Sequence, residues 1–159
     1  MELTFEQVVP APRDEVFAFH ARPENLAVLM GCAPGFRLLH HDGAVQPGRE
    51  TWVEVTWAKC VPVALGFRHT IYQPPERFGE ELVHGPFRAF SHVHEFEAHA
   101  DGTLVRDRLH VTLPWTLGGE IAMRALAGGL RRVFAARQRA LSSFCRAGRL
   151  AVPALAARA

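Results

Sequence analysis

The sequence is poor in cysteine and has no long apolar run. Its three cysteines, Cys32, Cys60 and Cys145, are odd in number and lack C-x-x-C spacing. We therefore expect neither a disulfide framework nor a zinc knuckle, and interpret them as buried or idle thiols. The apolar runs are far shorter than the roughly 20 residues of a membrane-spanning helix, and the opening residues Met1 to Glu6 are acidic where a signal peptide is cationic. These absences predict a cytoplasmic protein with no integral membrane association.

Motifs for several kinds of chemistry are also absent. The sequence has no glycine-rich phosphate loop, zinc finger or aromatic RNA-binding motif, so we predict no nucleic-acid partner. Ser91, Ser142 and Ser143 lie outside any G-x-S-x-G elbow, which argues against covalent catalysis by serine.

The composition is that of a single folded domain. Of the 159 residues, 48% are hydrophobic and 21% are charged, and the mean hydropathy is +0.01, so the chain can bury a core. The net charge of +2 hides an asymmetry, because the part from Gly119 onward holds eight arginines and one acid, a net +7, and the rest carries −5. Arginines spaced among apolar residues are typical of the solvent side of an amphipathic helix, although such a face could also bind a partner.

The spacing of apolar residues predicts strands and helices along the chain. Residues 2–9 alternate as a strand does, and Pro12 and Pro23 each stand where a short helix begins. A long amphipathic helix follows Gly119 and ends at about Arg146. Between them, turn residues separate six runs with strand periodicity, at 36–41, 49–58, 65–73, 77–84, 88–98 and 103–113. Because short connections make neighbouring strands antiparallel, we predict an α+β fold in which a curved seven-stranded sheet packs on the last helix.

Several short segments follow the pattern of a known superfamily. They are Phe5 to Val9, Pro12, Val16-Phe17, Phe19, Pro23-Glu24-Asn25-Leu26, Arg77-Phe78, Gly85-Pro86-Phe87-Arg88, His92-Val93-His94-Glu95-Phe96, Gly102 to Asp107, Leu113-Pro114, and Arg132-Val133-Phe134 with Arg137 and Leu141. Over about residues 3–146 the sequence resembles the START-like or SRPBCC superfamily, whose fold is also called helix-grip or Bet v 1-like, and within it the bacterial cyclase/dehydrase-like members. One departure is Phe90, where tryptophan is more usual.

The resemblance implies a helix-grip fold, with a curved seven-stranded antiparallel sheet around a long C-terminal helix and two short helices after the first strand. It implies a ligand-binding domain over residues 1–148 and a frayed tail at 149–159. Members bind lipids, polyketides and other apolar compounds, and some catalyse cyclisation or dehydration. We therefore expect a small apolar ligand in a cavity between the sheet and the last helix, with no cofactor. Two alternative functions stay open. One is an enzyme of the cyclase, dehydratase or hydrolase type, and the other is an interaction module that docks through the basic last helix. A homodimer also stays open.

Strand alternation places a set of ionisable side chains on the inner face of the sheet. In the last two predicted strands it turns His92, His94 and Asp107 inward. The same reasoning turns His69 and Glu80 inward in the strands beside them. The turn lengths then predict His94 opposite Asp107, and a row in which Glu80 lies between His92 and His69.

These groups allow four interpretations. Because buried carboxylates need partners, Glu80 and Asp107 could satisfy the histidines and hold the sheet register. The cluster could instead anchor the polar head of an apolar ligand. It could act in general acid/base catalysis, with His92, His94, Asp107 and Glu80 as catalytic residues. His-x-His beside a carboxylate is also a three-ligand metal pattern, but the carboxylates satisfy the histidines without an ion, and we predict no metal.

A second group of residues is predicted to line the ligand cavity. It comprises Trp57, Phe67, His69, Phe78, Phe90, Phe96, Leu109, Leu126 and Leu130. Plain core packing is the alternative for the aromatic members. Ile71 is predicted to face inward beside His69, and the fold resemblance places the loops 31–35, 44–48 and 60–64 at the cavity mouth.

Overall fold

The computed structural model describes residues 1–31, 35–57, 61–116 and 119–150. Within these ranges the chain forms one sheet and three helices. Their bounds are β1 Glu2–Val9, α1 Arg13–His20, α2 Pro23–Met30, β2 Arg37–His41, β3 Glu50–Trp57, β4 Val61–Gln73, β5 Arg77–His84, β6 Ala89–His99, β7 Gly102–Thr112 and α3 Glu120–Arg146.

The seven strands form an antiparallel sheet in the order β1-β7-β6-β5-β4-β3-β2. Each strand from β2 to β6 pairs with the next strand in the chain, and β1 forms the far edge by pairing with β7. Leu126 and Phe134 of α3 pack with Leu109 and Val111 of β7, so the long helix lies on the apolar face of the sheet. The predicted fold class is confirmed. No helix in the described ranges combines the length and the apolar character needed to cross a membrane.

A tight turn sets the register between β6 and β7. Ala100-Asp101 joins the paired residues His99 and Gly102, and Gly102 has a φ of +130°, which only glycine adopts readily. The predicted loop, 99–102, is one residue wider at each end but is centred on the same point. The predicted pairing is therefore confirmed, and His94 lies opposite Asp107.

An irregularity in β4 restores the predicted register between β4 and β5. Gln73 pairs with Arg77 across a three-residue turn, whereas the sequence predicts a four-residue loop. The pairing shifts between His69 and Ile71, which absorbs one residue of β4 and brings His69 opposite Glu80. The predicted pair is thus present, but the bulge produces it and the turn length does not.

The same bulge changes which side chains of β4 face inward. The expectation for Ile71 is wrong, because Ile71 pairs with Gly79, and the Ile71 side chain lies near Val93 on the outer face. Tyr72 faces inward instead, with its ring 5.7 Å from that of Phe17. A bulge inserts one residue and so exchanges the two faces for the rest of the strand.

β4 also begins four residues earlier than predicted. The sequence predicts a break at 60–62, but Val61 and Pro62 pair with the end of β3. Pairing with β5 begins only at Gly66. Among the described strands, Pro62 therefore has a neighbour on one side, which is where a sheet tolerates proline.

The main core lies between α1, the sheet and the end of α3. It contains Phe17, Phe96 and Leu141, and Leu150 belongs to the same cluster. Leu150 lies in the stretch predicted as a tail, 149–159, of which residues 151–159 lie outside the described residues. Cys145 is buried, and burial raises the pKa of its thiol to about 11. Cys32 and Cys60 lie outside the described ranges.

Candidate functional site

Two histidines of β6 share one carboxylate of β7. Asp107 Oδ1 lies 2.9 Å from His92 Nε2 and 2.7 Å from His94 Nδ1. All three side chains are buried. An ionised carboxylate only accepts hydrogen bonds, so both imidazoles donate to Asp107 through these nitrogens. The register predicts the contact with His94, whereas the contact with His92 reaches across the strands on the diagonal.

Glu80 lies between His92 and a third imidazole, that of His69, as the predicted row requires. Its Oε1 is 3.7 Å from His92 Nδ1, and its Oε2 is 3.5 Å from His69 Nδ1. His69 Nε2 is 3.1 Å from Thr51 Oγ1 on β3. His69 Nδ1 is buried and makes no hydrogen bond. The sequence prediction did not include Thr51, although alternation in β3 places it on the inner face beside Val53.

Arg137 of α3 completes the cluster, and the sequence interpretation missed it. The side chain is 6% exposed, its Nη1 is 3.7 Å from Asp107 Oδ1, and its Nη2 is 3.4 Å from His94 Nδ1. The interpretation of the helix arginines as solvent-facing is therefore wrong for this residue. Phe134 and Leu141 lie three and four positions away, so Arg137 occupies the apolar stripe of α3.

His20, at the end of α1, is a second buried residue that the prediction missed. Its Nδ1 donates to the carbonyl oxygen of Val16 at 2.8 Å, and its ring centre is 6.2 Å from that of His94. Burial is the main influence on its pKa, which falls to about 4. The signal in the sequence is its position one turn after Val16, on the buried side of α1.

Burial and neighbouring charges set the protonation of the cluster. Burial lowers the pKa of His94 to about 3, and the charge of His92 acts in the same direction. Burial also disfavours charged His92, but Asp107 and Glu80 outweigh it and raise the pKa of His92. Burial alone raises the pKa of a carboxyl group, but Arg137 and the histidines hold the pKa of Asp107 well below its usual value. The pKa of Glu80 is lowered despite its burial, chiefly by His92.

A cavity of about 60 Å³ adjoins these groups. Its polar side includes Glu80, His69 and Arg137, and its apolar side includes Leu26 of α2 and Val45. Because one water occupies about 30 Å³, it has room for about two waters. A second and more open depression of about 460 Å³ lies between β1 and α3, against Gln7 and Arg139, and its lining includes none of the residues predicted to line the cavity.

The sequence matches a protein family over most of its length. The family model described as "Polyketide cyclase / dehydrase and lipid transport" matches residues 9–139. The chain belongs to this family. No curated protein matches the sequence.

Solved structures share the fold of this family member at low sequence identity. Protein Ms6760 from Mycobacterium smegmatis is 18% identical, with a TM-score of 0.70 and 92% of each chain covered. TTHA0849 from Thermus thermophilus is 17% identical, with a TM-score of 0.69 over 93% of this chain and 99% of that one. The major latex-like protein 151 from Panax ginseng is 8% identical, with a TM-score of 0.68 over 91% and 97%. The predicted superfamily and helix-grip fold are confirmed.

Most residues predicted to line the cavity are packed in the core of this polyketide cyclase / dehydrase family member. Among the members of that group whose side chains are described, only His69 and Phe78 contact the 60 Å³ cavity. Phe134 of α3 is buried, and its ring stacks on that of Phe5 of β1 with centroids 4.3 Å apart. The others lie in hydrophobic clusters, namely Phe67, Phe90, Phe96, Leu109, Leu126 and Leu130. The side chain of Trp57 lies outside the described part of the chain, as do residues 32–34 and 60 of the predicted mouth loops.

Proposed function

We propose that the protein binds a small organic molecule that has an apolar body and one hydroxyl group. The observation that carries this proposal is the two-sided lining of the cavity under α3. Ionisable side chains of the sheet and α3 form one side, and Pro23, Leu26 and Leu29 of α2 form the other. An apolar wall with a few convergent polar groups is typical of small-molecule sites. The family description, which includes lipid transport, is consistent with an apolar body.

Two neighbouring side chains specify the hydroxyl group. Ionised Glu80 accepts hydrogen bonds and cannot donate them. His69 Nδ1 lacks a hydrogen-bond partner and lies 3.5 Å from Glu80 Oε2, and burial lowers the pKa of His69, which keeps its ring neutral. A hydroxyl is both donor and acceptor, so it can donate to Glu80 while it bonds to His69. A ligand carboxylate in the same place would be repelled by Glu80.

The present cavity holds only the polar end of such a ligand. Ligand sites for drug-sized molecules occupy about 300 Å³ or more, compared with about 60 Å³ here. The apolar body therefore requires α2 and the segment around Val45 to move outward. α2 has eight residues, and short peripheral elements open at a lower free-energy cost than core strands do.

Binding of 4-ethylphenol tests the proposal against two molecules of similar size, ethylbenzene and 4-ethylbenzoate. Isothermal titration calorimetry, with EDTA present, is expected to show that the phenol binds at least about tenfold more tightly than either, since a hydrogen bond to a charged group contributes about 1.5–3 kcal/mol. Glu80→Gln should remove this preference. Glu81→Gln, on the exposed face of β5, is the matched control. Equal binding of all three molecules, or an unchanged preference in Glu80→Gln, would refute the proposal.

General acid/base catalysis is a second candidate, favoured by one contact. Asp107 holds His92 Nε2 at 2.9 Å, which orients the ring so that Nδ1 faces Glu80 beside the cavity. A carboxylate-oriented histidine can move a proton to or from a hydroxylated or enolisable substrate. Asp107→Asn should then abolish turnover of any substrate that the phenol series identifies, with the circular dichroism spectrum unchanged. Loss of the folded spectrum in this variant would indicate a structural role instead.

A further inference from the structure

We infer that Glu80, His92 and His94 form a binding site for a divalent transition-metal ion such as Zn²⁺, with Asp107 as the carboxylate that orients both histidines. This inference reverses the sequence-based expectation of no metal. It does not depend on the proposed organic ligand.

The three side chains have the donors and the spacing that a metal site needs. Each offers one ligand atom, and these atoms lie within 4.8 Å of one another. Two imidazoles and a carboxylate make a common protein ligand set for zinc. With bonds of about 2.0–2.1 Å, the ligand atoms of a tetrahedral site lie about 3.4 Å apart. The widest gap therefore has to close by about 1.4 Å, shared among the three side chains.

The hydrogen bonds to Asp107 leave the other imidazole nitrogens free to bind a metal. Because His92 donates through Nε2 and His94 through Nδ1, the lone pairs lie on His92 Nδ1 and His94 Nε2 when the rings are neutral. A carboxylate that fixes the ring and tautomer of a metal-binding histidine is a regular feature of zinc sites. His92 Nδ1 then faces the Glu80 carboxylate at 3.7 Å. The lone pair of His92 Nδ1 and the Glu80 carboxylate repel each other at this distance unless a cation lies between them. That cation is either a metal ion or a proton on His92.

Charge and space are both consistent with a metal ion. The cluster contains two carboxylates, Glu80 and Asp107, and one permanent positive charge, that of Arg137. A proton supplies the one further positive charge that makes the cluster neutral, whereas a divalent ion supplies two and gives neutrality when its bound water is deprotonated, as zinc-bound water is near pH 7. The adjoining cavity of about 60 Å³ has room for the water that completes the coordination of a three-ligand site. His69 Nδ1, which lacks a hydrogen-bond partner, is available to that water.

Metal titration of the full chain distinguishes a metal ion from a proton. After treatment with EDTA and its removal, isothermal titration with ZnCl₂ should show one ion bound per chain, and Co²⁺ should give visible absorption bands from nitrogen and oxygen ligands. His94→Ala and Glu80→Gln should each weaken Zn²⁺ binding by at least about 100-fold, and Asp107→Asn by about 10–100-fold. Circular dichroism shows whether each variant is folded. If His94→Ala is unfolded, the affinity of Glu80→Gln for Zn²⁺ still tests the site.

A surface group provides the matched control. His40 Nε2 lies 3.0 Å from Asp42 Oδ1 on the exposed β2 side, and His40→Gln should leave the affinity unchanged. If His40→Gln abolishes binding while Glu80→Gln does not, the ion binds at the surface and the inference is wrong. Binding of less than 0.1 ion per chain at about 100 μM Zn²⁺, a weak-affinity threshold, would also overturn it. Because the phenol series is measured in EDTA, its failure and the failure of metal binding are separate results.

Discussion

Replacing Arg137 by methionine tests whether the cluster depends on a buried positive charge. Arg137 and Asp107 are 6% and 5% exposed, so the carboxylate loses its permanent counter-charge and cannot be solvated by bulk water. Breaking one side of a buried ion pair costs about 3–5 kcal/mol. Methionine keeps an unbranched apolar side chain at this position but loses the charge, including the guanidinium contact over the ring of Phe134 at 5.5 Å, so most of this loss is electrostatic. For a chain of this length it corresponds to a fall in Tm of about 6–20 °C.

Urea denaturation followed by circular dichroism measures this free energy of unfolding. The matched control is Arg139→Met, which removes an exposed arginine from the same helix and should change stability by less than about 0.5 kcal/mol. In the double variant with Asp107→Asn, the effect of Arg137→Met should shrink, since the charge that Arg137 compensates is gone. A loss below about 1 kcal/mol in Arg137→Met, or a loss equal to that of the control, would refute the reasoning.

The pH dependence provides an independent measurement on the same variant. The pKa of Asp107 in the folded protein lies well below its usual value. Its ionisation therefore stabilises the fold above the unfolded pKa of about 3.9, and this contribution is lost as the pH falls through the folded pKa. Removal of Arg137 raises the folded pKa, so acid unfolding should begin at a higher pH than in the unaltered protein. An identical acid midpoint in both proteins would contradict this account.

Two further predictions concern neighbouring side chains. The folded pKa of His20, about 4, lies below its ordinary value of 6.5. With EDTA present, its contribution to stability should therefore be complete above pH 6.5 and fall by up to about 3 kcal/mol toward pH 4, and His20→Leu should flatten that part of the curve. Phe134→Ala should cost about 3–5 kcal/mol in urea and, by opening space beside Phe5, increase the affinity for a bulkier phenol. A cost below about 1 kcal/mol would mean that Phe134 does not fill the interior.

The sequence predicts the antiparallel pairing of successive strands, from their short connections, and most of the cluster, because alternation along a half-buried strand is a strong constraint. A shift of one residue in β6 would turn His92 and His94 outward and expose the apolar face. The turn at Asp101-Gly102 fixes the register between β6 and β7, since the backbone conformation at one point of the hairpin requires glycine. The pairing of His94 with Asp107 follows from these two local patterns alone.

Arg137 and His20 could not be recognised as cluster members by the same reasoning. A polar residue on the apolar stripe of a helix is normally assigned to the solvent side, because burying an unpaired charge costs several kcal/mol. The charge of Arg137 is acceptable only because Asp107, 30 residues earlier in the chain, lies 3.7 Å away. Helical periodicity places Arg137 and His20 on the apolar sides of their helices, but it carries no information about the partner across the fold that makes burial of a polar group acceptable.

The cavity volume and the β4 bulge depend on side-chain packing, which alternation does not describe. Phe5 and Phe134 each have the pattern of an inward residue, but whether their rings line a cavity or stack and fill it depends on the distance between β1 and α3. In β4, the expected loop and the observed turn differ by one residue, and the bulge between His69 and Ile71 compensates. The shorter turn and the bulge each shift the register by one residue, and the two shifts cancel for the pairing of His69 with Glu80. They do not cancel for Ile71, which lies between the bulge and the turn and faces outward.

The possible roles of the cluster differ in the cation that, together with Arg137, balances the charges of Glu80 and Asp107. If a proton on His92 balances Glu80 and Asp107, stability depends on pH and is indifferent to chelators. If a metal ion does so, EDTA lowers the Tm, because an ion that binds only the folded state stabilises it. A neutral hydroxyl ligand supplies no charge and therefore cannot replace either one. Unfolding of the unaltered protein at two pH values, each with and without EDTA, thus identifies the balancing cation before any ligand is known.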